Sequence, residues 1–237
     1  MRTVTYRVPS FGAPPCTLAL VSDLHGHPYD RVVAALTERK PDVIAAVGDV
    51  TGKTPRETSV GFAFLRDCAN IAPTLYSRGN HENSLSESDR EQVRQSGALL
   101  LDNDETALFG VRFGGLTSFT VARSPLPKGT PLPKAGADFL DRFCEGPGPR
   151  VLLCHHPEYY EPYLKGRGID LVLSGHAHGG QIRLFGRGLF APGRGILPKY
   201  TSGLYDGGRL LVGRGLANTI PYAPRLFNET ETVFVEW

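Results

Sequence analysis

Short apolar runs alternate with longer amphipathic stretches through the first hundred residues. The runs at 16–22, 43–47 and 74–76 are nearly continuous in apolar residues, which is typical of strands covered on both faces. Between them, the sequence predicts one helix over 30–40 and a second helix after Pro55. This strand–helix alternation predicts a parallel sheet with crossover helices.

The rest of the chain predicts a second group of strands. Residues 87–96 and the segment around Phe139, Leu140 and Phe143 favour helices, and the proline-containing segment 121–135 is predicted to be a loop. Short strands are predicted near 98–101, 106–109, 111–116, 151–154, 171–174, 201–205, 210–213 and 232–235. We expect a second, more antiparallel sheet packed on the first. The prediction is an α/β fold, a layered α-β-β-α sandwich of two mixed sheets flanked by helices, and one domain over 1–237.

Composition narrows the class of protein. The chain has 237 residues, is 41% hydrophobic and has a formal net charge of +2, so no stable nucleic-acid partner is expected. Its 4 cysteines form no C-x-x-C pair, which favours a reducing compartment. No apolar run approaches the ~20 residues of a membrane helix, and the sequence starts without a signal pattern. These features predict a cytoplasmic protein, with peripheral membrane contact as an open alternative.

Positive charge is concentrated in residues 181–225. Asp206 is the one acidic residue there, and the basic residues are Arg183, Arg187, Arg194, Lys199, Arg209, Arg214 and Arg225. This segment is interpreted either as a solvated basic face or as a rim that attracts anions. The same segment contains the apolar residues Phe185, Leu189, Phe190, Ile196 and Leu197. They are expected to be core residues, or, if exposed, to suit an acyl chain or a membrane surface.

The candidate chemistry lies at the predicted strand ends. All 7 histidines fall in such stretches: His25, His27, His81, His155, His156, His176 and His178. Ligands of open α/β sheets bind beyond the carboxyl ends of the strands, where Asp23, His25, Asp49, Asn80 and His81 all fall. The histidines, together with Asp23, Asp49 and Asn80, offer a mixed set of donors. Mixed nitrogen and oxygen donors suit Mn, Fe, Zn or Co better than Ca or Mg. The donors exceed the needs of one tetrahedral ion. Two ions about 3.5–4 Å apart would use them, with Asp49 as the natural bridge.

Five short motifs resemble, in order, those of the calcineurin-like metallophosphoesterases. They are Asp23-x-His25, Gly48-Asp49, Gly79-Asn80-His81-Glu82, His155 and Gly175-His176-Ala177-His178. The stretches 179–182, 199–205 and 214–216 resemble a narrower branch, the small bacterial phosphodiesterases of the YkuE/YaeI type. The resemblance therefore covers nearly the whole chain.

The resemblance implies a site with two transition-metal ions, of which manganese is favoured. It assigns Asp23, His25, Asp49 and His178 to one ion, and Asp49, Asn80, His155 and His176 to the other. A hydroxide bridging the ions would attack the phosphorus of a phosphodiester or pyrophosphate in line. His81, oriented by Glu82, would stabilise charge on the phosphoryl oxygens or protonate the leaving oxygen. The substrate is expected to be small and anionic, nucleotide-linked or lipid-linked.

Several alternatives remain open at this stage. His155 directly ends its strand and is preferred over His156 as the ligand, with His156 making a local hydrogen bond. His27 is interpreted as a loop residue, with a substrate contact as the alternative. Arg78 is expected to bind either a nearby carboxylate or the substrate phosphate. The alternative functions are a phosphomonoesterase, a nuclease of the same superfamily and a non-catalytic binding scaffold.

Overall fold

Two six-stranded sheets pack against each other and carry helices on their outer faces. The computed structural model describes residues 1–119, 129–191, 195–217 and 224–237. The layers follow the order helix, sheet, sheet, helix, so the predicted α-β-β-α sandwich is confirmed.

The first sheet contains the predicted parallel strands. Its strands, in spatial order, are β1 (Arg2–Arg7), β16 (Glu231–Glu236), β2 (Thr17–Val21), β3 (Val43–Val47), β4 (Thr74–Ser77) and β5 (Leu99–Leu100). All neighbours are parallel except β16 and β2. Its outer face is covered by helices α1 (Asp30–Arg39), α2 (Pro55–Ala69) and α3 (Glu87–Gln95). The helix α2 begins with a capping box, in which Thr54 Oγ1 accepts from the Glu57 amide at 3.2 Å.

The second sheet is mixed and is antiparallel at both edges. Its strands, in spatial order, are β14 (Gly203–Tyr205), β15 (Leu210–Val212), β9 (Leu171–Ser174), β8 (Arg150–Cys154), β7 (Val111–Leu116) and β6 (Asp104–Leu108). The pairs β14–β15 and β6–β7 are antiparallel, and the three inner pairs are parallel. Helix α4 (Lys134–Cys144) covers its outer face. This sheet is therefore the more antiparallel of the two, as expected.

Successive side chains of each inner strand pack alternately between the two sheets and under the helices. In β2, Leu18 and Leu20 lie in the core between the sheets, whereas Ala19 and Val21 pack under the helices. Successive side chains of a strand point to opposite faces, so a strand that is covered on both sides must be apolar throughout. This requirement explains why the continuous apolar runs of the sequence are strands of the inner layers.

Three features differ from the prediction or fall outside the described residues. Helix α4 begins at Lys134, inside the segment 121–135 that the sequence predicts to be a loop, and residues 120–128 lie outside the described part of the chain. The sequence predicts neither of two small ribbons: β10 (Arg183–Leu184) with β11 (Arg187–Gly188), and β12 (Phe190–Ala191) with β13 (Gly195–Ile196). Strands of two residues are too short to leave a periodic signal.

None of the helices among the described residues is both long and apolar enough to cross a bilayer. The cytoplasmic location stays a prediction. All 4 cysteines are free, and Cys154 is buried at the end of β8, as its apolar surroundings predict.

Candidate metal centre

Five loops bring the predicted residues to one edge of the sandwich. The loop after β2 carries Asp23 and His25, and the loop after β3 carries Asp49. The loops after β4, β8 and β9 carry the others: Asn80, His81, His155, His176 and His178. The loops are joined by backbone hydrogen bonds, among them Asp23 N to Gly48 O at 3.1 Å and His25 N to Asp49 O at 3.0 Å. Because strands of both sheets end here, the donors come from both halves of the sandwich.

The side chains meet closely enough to share an ion. Among the described residues, four groups of three have ligand atoms within 4.8 Å of one another: Asp23–His25–His178, His25–Asp49–His81, Asp23–Asp49–His155 and His155–His156–His176. His155 Nε2 lies 3.2 Å from Asp49 Oδ2, and His25 Nε2 lies 3.8 Å from the same oxygen. The same carboxylate oxygen of Asp49 therefore faces histidines from two different loops.

Strained backbone accompanies these residues. Five of the predicted ligands, Asp23, His25, Asp49, His176 and His178, have φ between 47° and 64°, a region that non-glycine residues seldom adopt. Such conformations cost of order 1–3 kcal/mol each and persist where the surroundings over-determine them. All five of these strained residues belong to the ligand groups described above.

The donor set fits a metal ion. His25 Nδ1 and Nε2, Asn80 Oδ1 and His178 Nδ1 are buried and have no hydrogen-bond partner among the described residues. Such orphaned polar atoms are rare in proteins, because each one loses its hydration without compensation. In contrast, His155 Nδ1 lies 2.8 Å from Val47 O, which orients the ring so that Nε2 faces Asp49. A carbonyl partner on the far ring nitrogen is the usual support of a metal-binding histidine.

Burial and charge set the protonation states of the site. Burial lowers the pKa of His25 and of His178 to about 3 and holds the pKa of His176 well below its usual value, so these imidazoles are neutral. Burial also opposes the charged forms of His155 and Asp49, but their mutual attraction dominates. The pKa of His155 is raised to about 10, and that of Asp49 is held well below its usual range. Ionised carboxylates and neutral imidazoles are the metal-binding forms, so Asp49 and the three neutral histidines are ready to bind. His155 is protonated and paired with Asp49, and a metal ion would have to displace its proton.

Comparison with known proteins places the chain in a family. The sequence profile of the calcineurin-like phosphoesterases matches residues 16–180. The chain belongs to the calcineurin-like phosphoesterase family. Among its relatives, YpbG of Bacillus subtilis is 24% identical over 94% of this chain and 82% of its own length. The phosphodiesterase YaeI of Escherichia coli is 29% identical over 73% of this chain and 64% of its own. The crystal structure of TT1561 from Thermus thermophilus shares the fold, with a TM-score of 0.52, 16% identity and coverage of 68% of this chain and 82% of that one.

Membership supports hydrolysis of phosphoric esters, and the histidine–aspartate groups could bind metal. The assignment of individual ligands stays a prediction. His156 illustrates why: its Nδ1 lies 3.2 Å from Glu158 Oε1, as expected for a local hydrogen bond, yet its ring centroid is only 4.1 Å from that of His176. His27 is exposed and belongs to none of the four ligand groups of the described chain.

Glu82 acts on the backbone rather than on His81, contrary to the sequence-based expectation. Its carboxylate is fully buried and accepts hydrogen bonds from the amides of Asp49 and Gly79, both at 2.8 Å, and from the amide of Thr51 at 2.9 Å. Burial and the nearby charge of Asp49 raise its pKa. Glu82 thereby ties the loops after β3 and β4 together, so it positions Asp49 against Asn80.

Two further residues that support this phosphoesterase site are not predicted from the sequence. Asn228 Nδ2 donates to His178 O at 2.7 Å and to Gln181 O at 3.1 Å, which holds the turn of the two histidines. Ser22 Oγ donates to Asp23 Oδ2 at 2.6 Å. Ser22 could have been suspected from its place beside Asp23, but Asn228 is 50 residues from the turn that it supports and has no local signal.

Gly79 is required by the close approach of three ligand-bearing segments. A Cβ at this position would contact Asp49 Oδ1 and would lie 2.6 Å from Asp49 N and 2.9 Å from His155 Cδ2. We expect Gly79→Ala to lower the free energy of unfolding by about 1–3 kcal/mol and to reduce bound metal, because overpacking displaces the surrounding atoms. Gly213→Ala is the control, since its Cβ would meet nothing closer than 3.5 Å. Denaturant titration and metal analysis test this; equal stability and metal content in both variants would contradict it.

Arg78 binds a carboxylate, the first of the two expected roles. Its guanidinium lies 2.6 Å from Asp102 Oδ1, and Asp102 also accepts from Arg90 at 2.6 Å. We expect Arg78→Met to lower the free energy of unfolding by about 1–3 kcal/mol, because a half-buried charged hydrogen bond is lost, and to leave KM unchanged. Arg66→Met, at an exposed residue 3.9 Å from Asp67, should be nearly neutral. A large rise in KM for Arg78→Met would instead indicate a substrate contact.

Several basic side chains of segment 181–225 bind other groups of the protein. Arg225 donates to the carbonyls of Ala217 and Arg214 at 2.7 and 2.6 Å, and burial lowers its pKa to about 10. Lys199 pairs with Glu161 at 2.7 Å. Arg194 lies outside the described residues. These pairings weaken the interpretation of the whole segment as an anion-attracting rim.

Proposed function

We propose that this protein is a dinuclear metal-dependent phosphodiesterase. The observation that carries the proposal is the overlap of four three-residue ligand groups, which share Asp23, His25, Asp49 and His155 among them. One tetrahedral ion needs about four ligands. The surplus of buried donors, and the central place of Asp49, favour two ions joined by one carboxylate.

The proposed ligands divide into two sets around Asp49. The first ion would be held by Asp23, His25, Asp49 and His178, and the second by Asp49, Asn80, His155 and His176. The short distances within Asp23–His25–His178 support the first set, and the proximity of His155 to His176 supports the second. When bound, the ions would neutralise phosphoryl charge and make water acidic enough to react near neutral pH. Manganese is the favoured metal.

His81 is proposed to act on the substrate rather than to hold an ion. Its backbone N–H donates to Asp49 Oδ1 at 2.9 Å, and its ring centroid is 4.4 Å from that of His25. In contrast to the fully buried histidines, His81 is partly accessible to solvent. A substrate phosphate could therefore reach the ring, which would stabilise phosphoryl charge or give a proton to the leaving oxygen.

The proposed substrate class is a small phosphodiester or pyrophosphate. Support comes from the relative YaeI, which is named a phosphodiesterase. The test is turnover of bis-p-nitrophenyl phosphate against p-nitrophenyl phosphate, after removal of metals and reloading with Mn, Zn, Fe or Co. We expect metal-restored cleavage that favours the diester. Preference for the monoester would reassign the protein as a phosphatase. Protein that carries two ions and cleaves neither compound would contradict the enzyme proposal.

A further inference from the structure

A cleft of about 430 Å³ lies apart from the candidate metal ligands, and both charged and apolar residues line it. Its lining includes Arg2, Arg183, Arg214, Leu184, Phe185 and Phe227, which we call the arginine–phenylalanine surface. None of these residues belongs to the ligand groups of the described chain. The surface joins the start of β1, the β10–β11 ribbon and the segments before and after residues 218–223.

The surface has an excess of positive charge. Arg2 Nη2 lies 2.9 Å and Arg214 Nε lies 3.3 Å from the same atom, Oε2 of the buried Glu231. The nearby Glu229 pairs with the N-terminal amine at 3.6 Å. Arg183 directs its hydrogen bonds elsewhere. Arg2 and Arg214 therefore share one carboxylate, and Arg183 has no carboxylate partner among the described residues, so the three guanidinium groups keep two positive charges to attract an anion.

Arg183 fixes the ribbon that presents Phe185. Its guanidinium donates to Gly179 O at 2.7 Å, to Thr201 Oγ1 at 3.3 Å and to Gly186 O in the turn of the ribbon. Phe185 and Gly186 form this turn with φ of 49° and 78°. The Phe185 side chain is fully exposed on a turn that is held from beneath.

Phe227 is held in a similar way. The preceding residue, Leu226, accepts a hydrogen bond from Arg183 N at 3.0 Å, and the following residue, Asn228, is buried and bonded to the histidine turn. Phe227 nevertheless leaves 82% of its surface exposed. Large apolar side chains that a fixed backbone presents to water, beside cationic groups, mark interaction sites more often than chance exposure.

We propose that the arginine–phenylalanine surface docks on an anionic membrane, with Phe185 and Phe227 entering the headgroup region and Arg2 and Arg214 facing lipid phosphates. Aromatic and aliphatic side chains supply the apolar part of interfacial binding, and basic residues near the surface supply the electrostatic part. Leu184 beside the rings favours acyl chains over a stacked nucleic-acid base. This inference is independent of the proposed catalytic activity.

Docking of this surface would bring the candidate metal centre near the lipid headgroups. Gly215 follows Arg214 in sequence and packs so tightly on Asp23 that a Cβ there would lie 2.8 Å from Asp23 Cβ. Asn228 follows Phe227 and binds His178 O. The same short segments thus carry the docking residues and the supports of the site.

The test is co-sedimentation of the full chain with phosphatidylglycerol-containing vesicles and with pure phosphatidylcholine vesicles. We expect binding to the anionic vesicles that falls at high salt, and at least about tenfold weaker partitioning for the double variant Phe185→Ser, Phe227→Ser. Phe109→Ser is the matched control, because Phe109 forms a Phe–Gly turn with φ of 51° between β6 and β7 and is 50% exposed. Thermal unfolding would verify that all variants fold.

The results distinguish the possible ligands of the arginine–phenylalanine surface. Binding that is lost in the double variant and retained in Phe109→Ser supports the proposal. Failure of the unaltered chain to bind anionic vesicles overturns it, as does equal loss in the Phe109 control. Complete competition by free glycerol phosphate would assign the cleft to a soluble anion, and tighter binding of single-stranded RNA with the same loss in the double variant would assign it to nucleic acid. Either result also overturns membrane docking.

Discussion

Asp49→Asn is expected to lose both metal ions together and to lower kcat/KM for a diester by at least about 1,000-fold. The reason is that one carboxylate serves both proposed ligand sets: Asp49 Oδ2 faces His155 and His25, while Oδ1 accepts from the His81 amide. The amide of Asn keeps the size of the side chain but removes the charge that a bridging ligand needs. Loss of the charge stabilisation that two ions supply is worth several kcal/mol, which corresponds to this factor.

Metal analysis after gel filtration, with parallel assays of diester cleavage, would test this expectation. Asp102→Asn is the matched control, because that carboxylate is partly buried and is ion-paired with Arg78 and Arg90, but belongs to none of the ligand groups of the described chain. It should reduce stability and leave metal content unchanged. A normal content of two ions in Asp49→Asn would contradict the bridging assignment, and loss of only one ion would move Asp49 into a single ligand set.

The inner layers of the fold could be predicted because their strands are buried on both faces. A strand such as β3, with five buried apolar residues, is predicted to be an interior strand, and the polar residue that follows it is predicted to lie at the sheet edge. Parallel neighbours end at the same edge, so the sequence predicts that Asp23, Asp49, Asn80 and His81 converge. That the second sheet also contributes ligands at this edge could be predicted only from the motif resemblance, because periodicity does not specify how two sheets pack.

The hydrogen bonds by which Glu82 and Asn228 support the site could not be predicted from the sequence. The sequence places Glu82 beside His81, but three of its four donors, the amides of Asp49 and Thr51 and the Thr51 hydroxyl, belong to a loop that reaches it only after folding. Asn228 likewise acts across a long stretch of chain on His178. Hydrogen bonds of this kind satisfy buried backbone groups, and their partners are selected by tertiary packing rather than by local sequence.

The partners of the basic residues in segment 181–225 could not be predicted from the sequence either. A count of charges treats Arg183 and Arg225 as free cations, whereas both bind backbone carbonyls inside the protein. The apolar residues of this segment also divide in a way that composition could not show. Phe185, Ile196 and Leu197 are exposed, whereas Leu189 and Phe190 are partly buried.

His81→Ala is expected to lower turnover of a diester by about 100- to 10,000-fold while both ions stay bound. The imidazole would act on substrate oxygens, and removal of one such group costs a factor of this order. The contact of this residue with Asp49 is made by its backbone N–H, which the substitution retains, so the proposed bridging carboxylate keeps its support. The effect should therefore fall on kcat far more than on metal content.

The matched control is His27→Ala, at an exposed histidine in the loop that carries His25. It should retain both turnover and metal. The pair of variants also distinguishes an enzyme from a non-catalytic scaffold, because a scaffold would have no turnover for the His81 ring to support. Loss of one ion in His81→Ala would make His81 a ligand, in line with its closeness to His25 and Asp49, and the proposed ligand sets would have to be redrawn. Unchanged turnover with unchanged metal content would contradict the catalytic role of His81 and leave charge stabilisation to the ions alone.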